Sequence, residues 1–310
     1  MHRPSRREFI RQSAAVGLGV LGGPLLAKAW AEEAARPLDM SIARWAVADA
    51  NPDEVARRLT EAAIEALGGM QRFVKRGDVV WVKPNIGWNR TPELAANTNP
   101  HVVSTLVRLC VEAGAKQVKV GDNPCNDARQ SYENSGIAPA ARDAGAEIVY
   151  LDRSRFRKMA IGGERLKDHP VYPEIVECDL VINVPICKHH GSTTVSLCMK
   201  NYMGVVESRG AFHQDLPTTI ADITQFMKPR LNVLDAVRML TAHGPTGGNP
   251  KDVKVANTVA AGVDIVALDA LGCELLGHKP ADIASVTKGV EYKLGVADYR
   301  TLALKELSLS

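Results

Sequence analysis

Short apolar runs recur along the chain, separated by stretches with helical spacing. Asp78-Val79-Val80-Trp81-Val82 is too short for a helix and ends at Lys83-Pro84-Asn85-Ile86-Gly87, which predicts a buried strand followed by a loop. Gln117 to Val120, Glu147 to Leu151, Asp179 to Pro185 and Leu231 to Asp235 repeat that signal, and Val255 to Val263 is apolar and β-prone. Helices are predicted between them. Asn51-Pro52-Asp53 opens one with an Asn cap, a Pro in the first turn and Asp53-Glu54 at the positive end of the dipole, and Gly68-Gly69 closes it. Asn99-Pro100 opens a second that runs to Gly114, and further helices are expected around Ala138 to Ala144, Thr218 to Met227 and Ile265 to Leu276. Residues 153 to 174 are irregular and charged, and read as a surface excursion. Strands alternating with helices predict an α/β fold, a single domain over residues 40–306 with a largely parallel sheet covered by helices on both faces.

Composition narrows the class and charge corrects a first impression. In 310 residues, 45% apolar and 24% charged content suits a globular protein with a sizeable core and excludes a disordered or collagenous chain. The net charge of +3 hints at acidic partners. However, residues 1–31 carry Arg3, Arg6, Arg7, Arg11 and Lys28 against Glu8, so this segment holds +4 and the remainder is −1. No basic domain is left to meet a nucleic-acid backbone. The same segment has a basic start, an uncharged run from Gln12 to Ala27 too short to form a stable transmembrane segment, and a small-residue pattern at Ala29-Trp30-Ala31. Arg6-Arg7 followed by Phe9-Ile10 resembles a twin-arginine signal peptide. That resemblance implies the twin-arginine export machinery as a partner, and a periplasmic or otherwise exported location reached after folding in the cytoplasm.

Candidate chemistry gathers just after the predicted strands, where ligands bind in open parallel sheets. Lys83 and Asn85 follow the first strand, Asp122, Asn123 and Cys125 the second, and Cys187-Lys188-His189-His190-Gly191 a later one. Lys188, His189 and His190 are expected on a loop, followed by Lys200 and Asn201. Lysines beside imidazoles suit an anionic ligand or a developing oxyanion, with Lys as the charge and His as the acid or base. The candidate catalytic residues are therefore Lys188, His189, Lys200 and His213, and the candidate ligand-binding residues are Lys83, Asn85, Asp122 and Asn201. The expected function is an enzyme acting on a small carboxylate or phosphate. The alternatives are a metallocentre redox protein and a non-catalytic periplasmic binding or assembly protein.

Metal and thiol chemistry have weaker signals. A divalent metal is a candidate cofactor, with His189, His190 and Asp122 as its ligands should the loops converge, although no His pair has the i, i+4 zinc spacing. None of the six Cys forms Cys-x-x-Cys. Cys178, Cys187 and Cys198 are candidates for a metal, an iron–sulfur cluster or a disulfide, and Cys125, in a Gly-Asp-Asn-Pro loop, is the candidate reactive thiol.

Several blocks together resemble the domain-of-unknown-function family 362. They include Lys83-Pro84-Asn85-Ile86-Gly87, Asn97-Thr98-Asn99-Pro100, Gly121-Asp122, Cys178 to Pro185, Lys188-His189-His190, Lys200-Asn201-Tyr202-Met203-Gly204, Arg209 to Asp215 and Gly244-Pro245-Thr246-Gly247-Gly248. The resemblance spans roughly residues 40 to 300, and the twin-arginine pattern fits an exported branch. Longer members carry a ferredoxin-like cysteine segment with iron–sulfur clusters, a run this sequence does not contain. The resemblance implies no catalytic residue.

Overall fold

The computed structural model describes residues 37–47 and 51–310, so the predicted signal peptide lies outside the described residues. Its strands are β1 (Met40–Trp45), β2 (Val79–Pro84), β3 (Gln117–Val120), β4 (Glu147–Ile148), β5 (Arg157–Ala160), β6 (Asp168–Val171), β7 (Leu180–Val184), β8 (Ile186–His190), β9 (Thr194–Ser196), β10 (Leu231–Leu240), β11 (Val253–Gly262) and β12 (Leu304–Leu309). A ten-stranded sheet has the order β12-β1-β11-β10-β7-β2-β3-β4, with β8 pairing with β10 and β9. The block from β10 through β7, β2 and β3 to β4 is parallel throughout. β11 runs antiparallel to both β10 and β1, and β1 pairs in parallel with β12. The fold is mixed α/β with a mostly parallel central sheet flanked by helices.

Strand alternation splits the core in two. On β2, Val80 and Val82 face one cluster with the helices Pro52–Ala66 and Pro100–Glu112. Trp81 faces the other, with Leu216–Met227 and Ile265–Leu275. A strand buried on both faces reads as an unbroken apolar run, which is why β2 and β7 were visible in the sequence. The two leading helices start as their caps predict. Asn51 Oδ1 accepts from Asp53 N at 3.0 Å and Asn99 Oδ1 from His101 N at 2.9 Å, each with Pro at the first helical position. Gly68 and Gly114 follow these helices with φ of +101° and +95°, conformations that favour glycine.

Four expectations are corrected. Residues 153–174 are not an irregular excursion: β5 and β6 pair antiparallel there, and Phe156, Leu166, Val171 and Tyr172 enter the core. In β6 exposed Asp168 precedes buried His169 and Val171, and the Phe156 and Tyr172 rings meet edge-on at 5.2 Å. The strand expected over Glu147 to Leu151 is reduced to two residues pairing with the end of β3. β10 continues past Asp235 to Leu240 with a register shift between Ala236 and Arg238, so Asp235 lies inside a strand and not at its end. Finally, Lys188, His189 and His190 belong to strand β8 and not to a loop.

The chain leaves β2 toward β3 and β4 on one side of the sheet and toward β7 and β10 on the other. The direction of connection therefore reverses between β2 and β7, and loops splay apart at the carboxyl ends of these two strands to open a crevice. Among the described residues, no helix is long and apolar enough to cross a membrane.

Candidate functional site

A buried ion pair forms the floor of that crevice. Lys83, at the end of β2, and Asp122, just after β3, are 0% and 2% exposed and meet at 2.8 Å from Nζ to Oδ1. Lys83 Nζ also donates to Pro84 O at 3.0 Å and Asn201 Oδ1 at 3.2 Å, so all three ammonium protons are used. Burial works to lower the affinity of Lys83 for its proton, and the Asp122 carboxylate opposes that. The second oxygen of Asp122 accepts from Ile86 N at 2.7 Å. The backbone of Asp122 is held by Tyr132, whose hydroxyl accepts from Asp122 N at 2.7 Å and reaches Val149 O at 2.9 Å.

Amides carry the network from this floor to the cavity. Asn201 Oδ1 accepts from Asn85 Nδ2 at 3.3 Å, and Asn201 Nδ2 donates to Asn183 Oδ1 at 2.9 Å. Asn85 Oδ1 accepts from Lys188 Nζ at 2.8 Å. Lys188 Nζ donates further to Ala96 O at 2.6 Å and Pro245 O at 3.2 Å. Among the described residues, three acceptors and no carboxylate thus hold the Lys188 ammonium, and burial, followed by the nearby Lys200 charge, pushes its pKa down to about 7. The segment Asn97-Thr98-Asn99 braces the loop from behind. Asn97 Oδ1 accepts from Gly87 N and Trp88 N, Thr98 Oγ1 bridges Asn85 N and Val184 O, and Asn99 N donates to Asp235 Oδ2.

Above this floor lies a cavity of about 300 Å³ whose walls include Trp88, Cys125, Lys188, His190, Lys200 and Arg209, with His213 exposed on its rim. A larger depression of about 580 Å³ sits at the opposite end of the sheet, beside Asp179 and Arg230. Those two groups are spent on the starts of strands, with Asp179 Oδ2 accepting from Val79 N and Arg230 donating to Asp179 O. The smaller cavity is the candidate site, because the crevice, the cations and the imidazoles all meet there.

The structure brings together Asn85, Asp122, Lys188, Lys200, Asn201 and His213 as lining residues. Lys83 lies beneath them, without exposure. His189 is placed elsewhere. Strand alternation sends Lys188 and His190 to the cavity and turns His189 away, where its Nδ1 accepts from Gly244 N at 3.1 Å. This separation also undoes the expected metal set of His189, His190 and Asp122. The imidazoles point to opposite sides, and both Asp122 oxygens are committed to Lys83 and Ile86. Among the described residues, no group of three or more His, Cys, Asp or Glu is arranged to hold a metal ion. The donor set here does not fit one.

The thiols are corrected too. Cys178, Cys187 and Cys198 are free and form no ligand group. Cys178 Sγ donates to Ile175 O at 3.2 Å beside the opposite depression. Burial pushes Cys178 up to about 11 and Cys187 and Cys198 well above the ordinary thiol range, which keeps them protonated. Cys125 is exposed and faces the cavity, 3.6 Å from Arg209 Nη1. Arg209 was not among the expected site residues. Its Nε donates to Met203 O at 3.0 Å and its Nη2 to Asn123 O, which fixes the guanidinium on the wall. The signal available for it was a lone arginine opening the Arg209 to Asp215 block.

Helix Cys198–Asn201 presents Lys200 and Asn201, and Asp269 anchors it by accepting from Cys198 N at 2.6 Å and Met199 N at 3.2 Å. Asp269 and Asp235 are fully buried, and desolvation pushes their carboxyls up to about 7 and about 6 against their backbone donors.

Comparison with known proteins adds a family. The domain of unknown function DUF362 matches residues 80–274. The chain belongs to this family. The matched span contains every cavity residue named above, so the site lies wholly within the DUF362 region. A thylakoid-associated protein of Synechocystis sp. is 30% identical over 243 residues, covering 75% of this chain and 73% of that relative. Among solved structures, the lactate racemase apoprotein from Thermoanaerobacterium thermosaccharolyticum aligns with a TM-score of 0.47 and 12% identity, over 76% of this chain. The aligned part spans 56% of the racemase chain.

Two outcomes follow from this geometry. A Cβ on Gly204 would lie 1.8 Å from Asp122 Oδ1 and 2.7 Å from Lys83 Nζ, whereas one on Gly210 would meet only Ser208 Oγ at 3.8 Å. Gly204→Ala therefore breaks the buried pair and destabilises the fold by about 3–5 kcal/mol, while Gly210→Ala changes it by less than about 1 kcal/mol, read from denaturant midpoints. The second concerns pH. Asp235 and Asp269 hold their protons to higher pH in the folded chain than the ordinary 3.8. Their contribution to stability is complete below about pH 4 and is lost as pH rises toward 7. Asp269→Asn should flatten that part of the stability profile, and an unchanged slope would show that Asp269 does not titrate there.

Proposed function

We propose that this DUF362 protein is an enzyme that binds a small carboxylate or phosphate in the cavity above the Lys83–Asp122 pair. One observation carries the reading: Lys188 and Arg209 line the same cavity, and neither has a carboxylate partner among the described residues. An anion supplies the countercharge that the protein withholds, in a site where low local dielectric makes charge complementarity count. The two cations have different tasks. Lys188 has spent its protons on Asn85, Ala96 and Pro245, so it acts through its charge and not as a direct donor. Arg209 supplies a planar face beside Cys125 at the wall. His213, exposed on the rim, is placed to carry protons between ligand and solvent.

Calorimetric titration with acetate and with inorganic phosphate tests the binding step. Binding should weaken at least tenfold in Arg209→Met, with the fold intact by circular dichroism. It should also weaken as pH rises through about 7, because Lys188 loses its charge there. No binding of either anion, or equal affinity in the variant, would sink the reading. Stabilisation by a carboxylate with no turnover would assign the site to a binding protein instead.

We also propose export of the folded protein, supported by the Arg6-Arg7 pattern and the small residues at Ala29-Trp30-Ala31. Replacing Arg6 and Arg7 by Lys should strand the precursor in the cytoplasm. Unchanged fractionation would remove the twin-arginine assignment.

A further inference from the structure

Lys200 has a different hydrogen-bond environment from the other two lysines of the site. Lys83 and Lys188 each donate to three acceptors. Lys200 Nζ has one contact among the described residues, His190 Nε2 at 3.1 Å. The far side of that imidazole decides what this contact is. His190 Nδ1 accepts a hydrogen bond from Ser192 N at 3.1 Å, so Nδ1 carries a lone pair. Burial, with the charges of Lys200 and Lys188 behind it, pushes the His190 pKa down to about 3, and the ring is neutral. Its single proton therefore sits on Nε2, facing Lys200. An ammonium has no lone pair to accept from Nε2–H, and two donors at 3.1 Å would repel. The contact is a hydrogen bond only when Nζ is the acceptor, which favours the free amine of Lys200 over its ammonium.

The surroundings agree. Lys200 is half-buried on the cavity wall, and the charged groups that line the cavity with it are Lys188, Arg209 and, at the floor, Asp122. Cys125, His190 and His213 are the other titratable groups there, and the Asp122 charge below is matched by Lys83. Desolvation, then Arg209, lowers Lys200 to about 8.

We propose that Lys200 is a carbonyl-condensing lysine, whose free amine attacks the carbonyl carbon of a small oxo acid held in the cavity. The place of the acid's carboxylate, near Lys188 and Arg209, rests on the anion-binding reading above, whereas the amine state of Lys200 does not. The Nζ lone pair forms the C–N bond as the carbonyl π pair moves to oxygen. A proton passes from nitrogen to that oxygen to give a carbinolamine, with His213 on the rim as the carrier. Loss of water then leaves the imine. One amine and one carbonyl become one imine and one water, with no change of oxidation state. Lys200 is thus the nucleophile, and not one of two lysines that share the anion's charge.

Borohydride trapping tests this on the whole chain. Glyoxylate followed by sodium borohydride should add one group per chain at Lys200 by peptide mass mapping, and the adduct should vanish in Lys200→Arg. His190→Phe removes the donor that favours the amine, so its trapping rate should fall at neutral pH and recover at alkaline pH. Acetaldehyde, which lacks a carboxylate, should label Lys200 at least tenfold more slowly than glyoxylate. No adduct at Lys200, with acetate or phosphate still binding, overturns the amine and leaves the anion site standing. Equal rates with glyoxylate and acetaldehyde keep the amine and overturn the oxo-acid assignment. An unchanged pH profile in His190→Phe overturns the role of His190.

Discussion

The Lys83–Asp122 contact ties together the parts of the chain that meet where the sheet changes direction. Lys83 ends β2, Asp122 follows β3, and Asn201, which shares the Lys83 ammonium, arrives from the far side of β7. A buried ion pair is weak evidence for stability, because desolvation offsets much of the attraction. What this one provides is position. With all three ammonium protons and both carboxylate oxygens assigned, no partner can rotate without leaving a buried polar group unpaired. Gly204 belongs to the same constraint, since its missing side chain is the space that the carboxylate occupies.

From that floor upward, the three lysines divide by the number of acceptors each one meets. Among the described residues, Lys83 is neutralised by a carboxylate, Lys188 is surrounded by an amide oxygen and two carbonyls, and Lys200 meets only an imidazole. An ion pair, an ammonium held by neutral acceptors and an amine beside an imidazole are three different electrostatic tools, built from one residue type around a single cavity. Sequence proximity to a loop treats them as equivalent cations. Only the partner count separates them, because a primary ammonium offers three donors and an amine keeps a lone pair.

Much of the fold was legible because its signals are local. Asn-Pro caps and glycine stops identified the helices Pro52–Ala66 and Pro100–Glu112, unbroken apolar runs the strands β2 and β7, and alternation the strand β3. β1 and β12 escaped notice because they pair with each other at one edge across almost the whole chain. The hairpin of β5 and β6 was hidden by its charges, because Arg157, Lys158 and Asp168 are exposed and β5 buries no residue of its own. In the site, the residues just after β2 and β3 were legible from the rule that ligands gather at carboxyl ends. The partition of His189 from His190 was lost when the segment was read as a loop, because period-2 alternation applies only to a strand. Arg209 offered only the weak signal of a lone arginine, because two of its partners are Met203 O and Asn123 O, and contacts with backbone oxygens leave no pattern in side-chain identity.

The turn around Gly244 shows how the discarded imidazole still serves the site. His189 Nδ1 accepts from Gly244 N, and a Cβ on Gly244 would come within 2.0 Å of His189 O, so the 243–248 segment packs directly against β8. That packing delivers Pro245 O to Lys188 Nζ, the third acceptor of the ammonium. If the turn moved away, Lys188 would keep only Asn85 and Ala96 as partners, a pattern that a neutral amine with two protons satisfies equally well. Burial already favours that neutral form. Contact between the turn and β8 therefore helps to set the charge of the cavity, and His189, absent from its walls, acts on Lys188 through the backbone it holds.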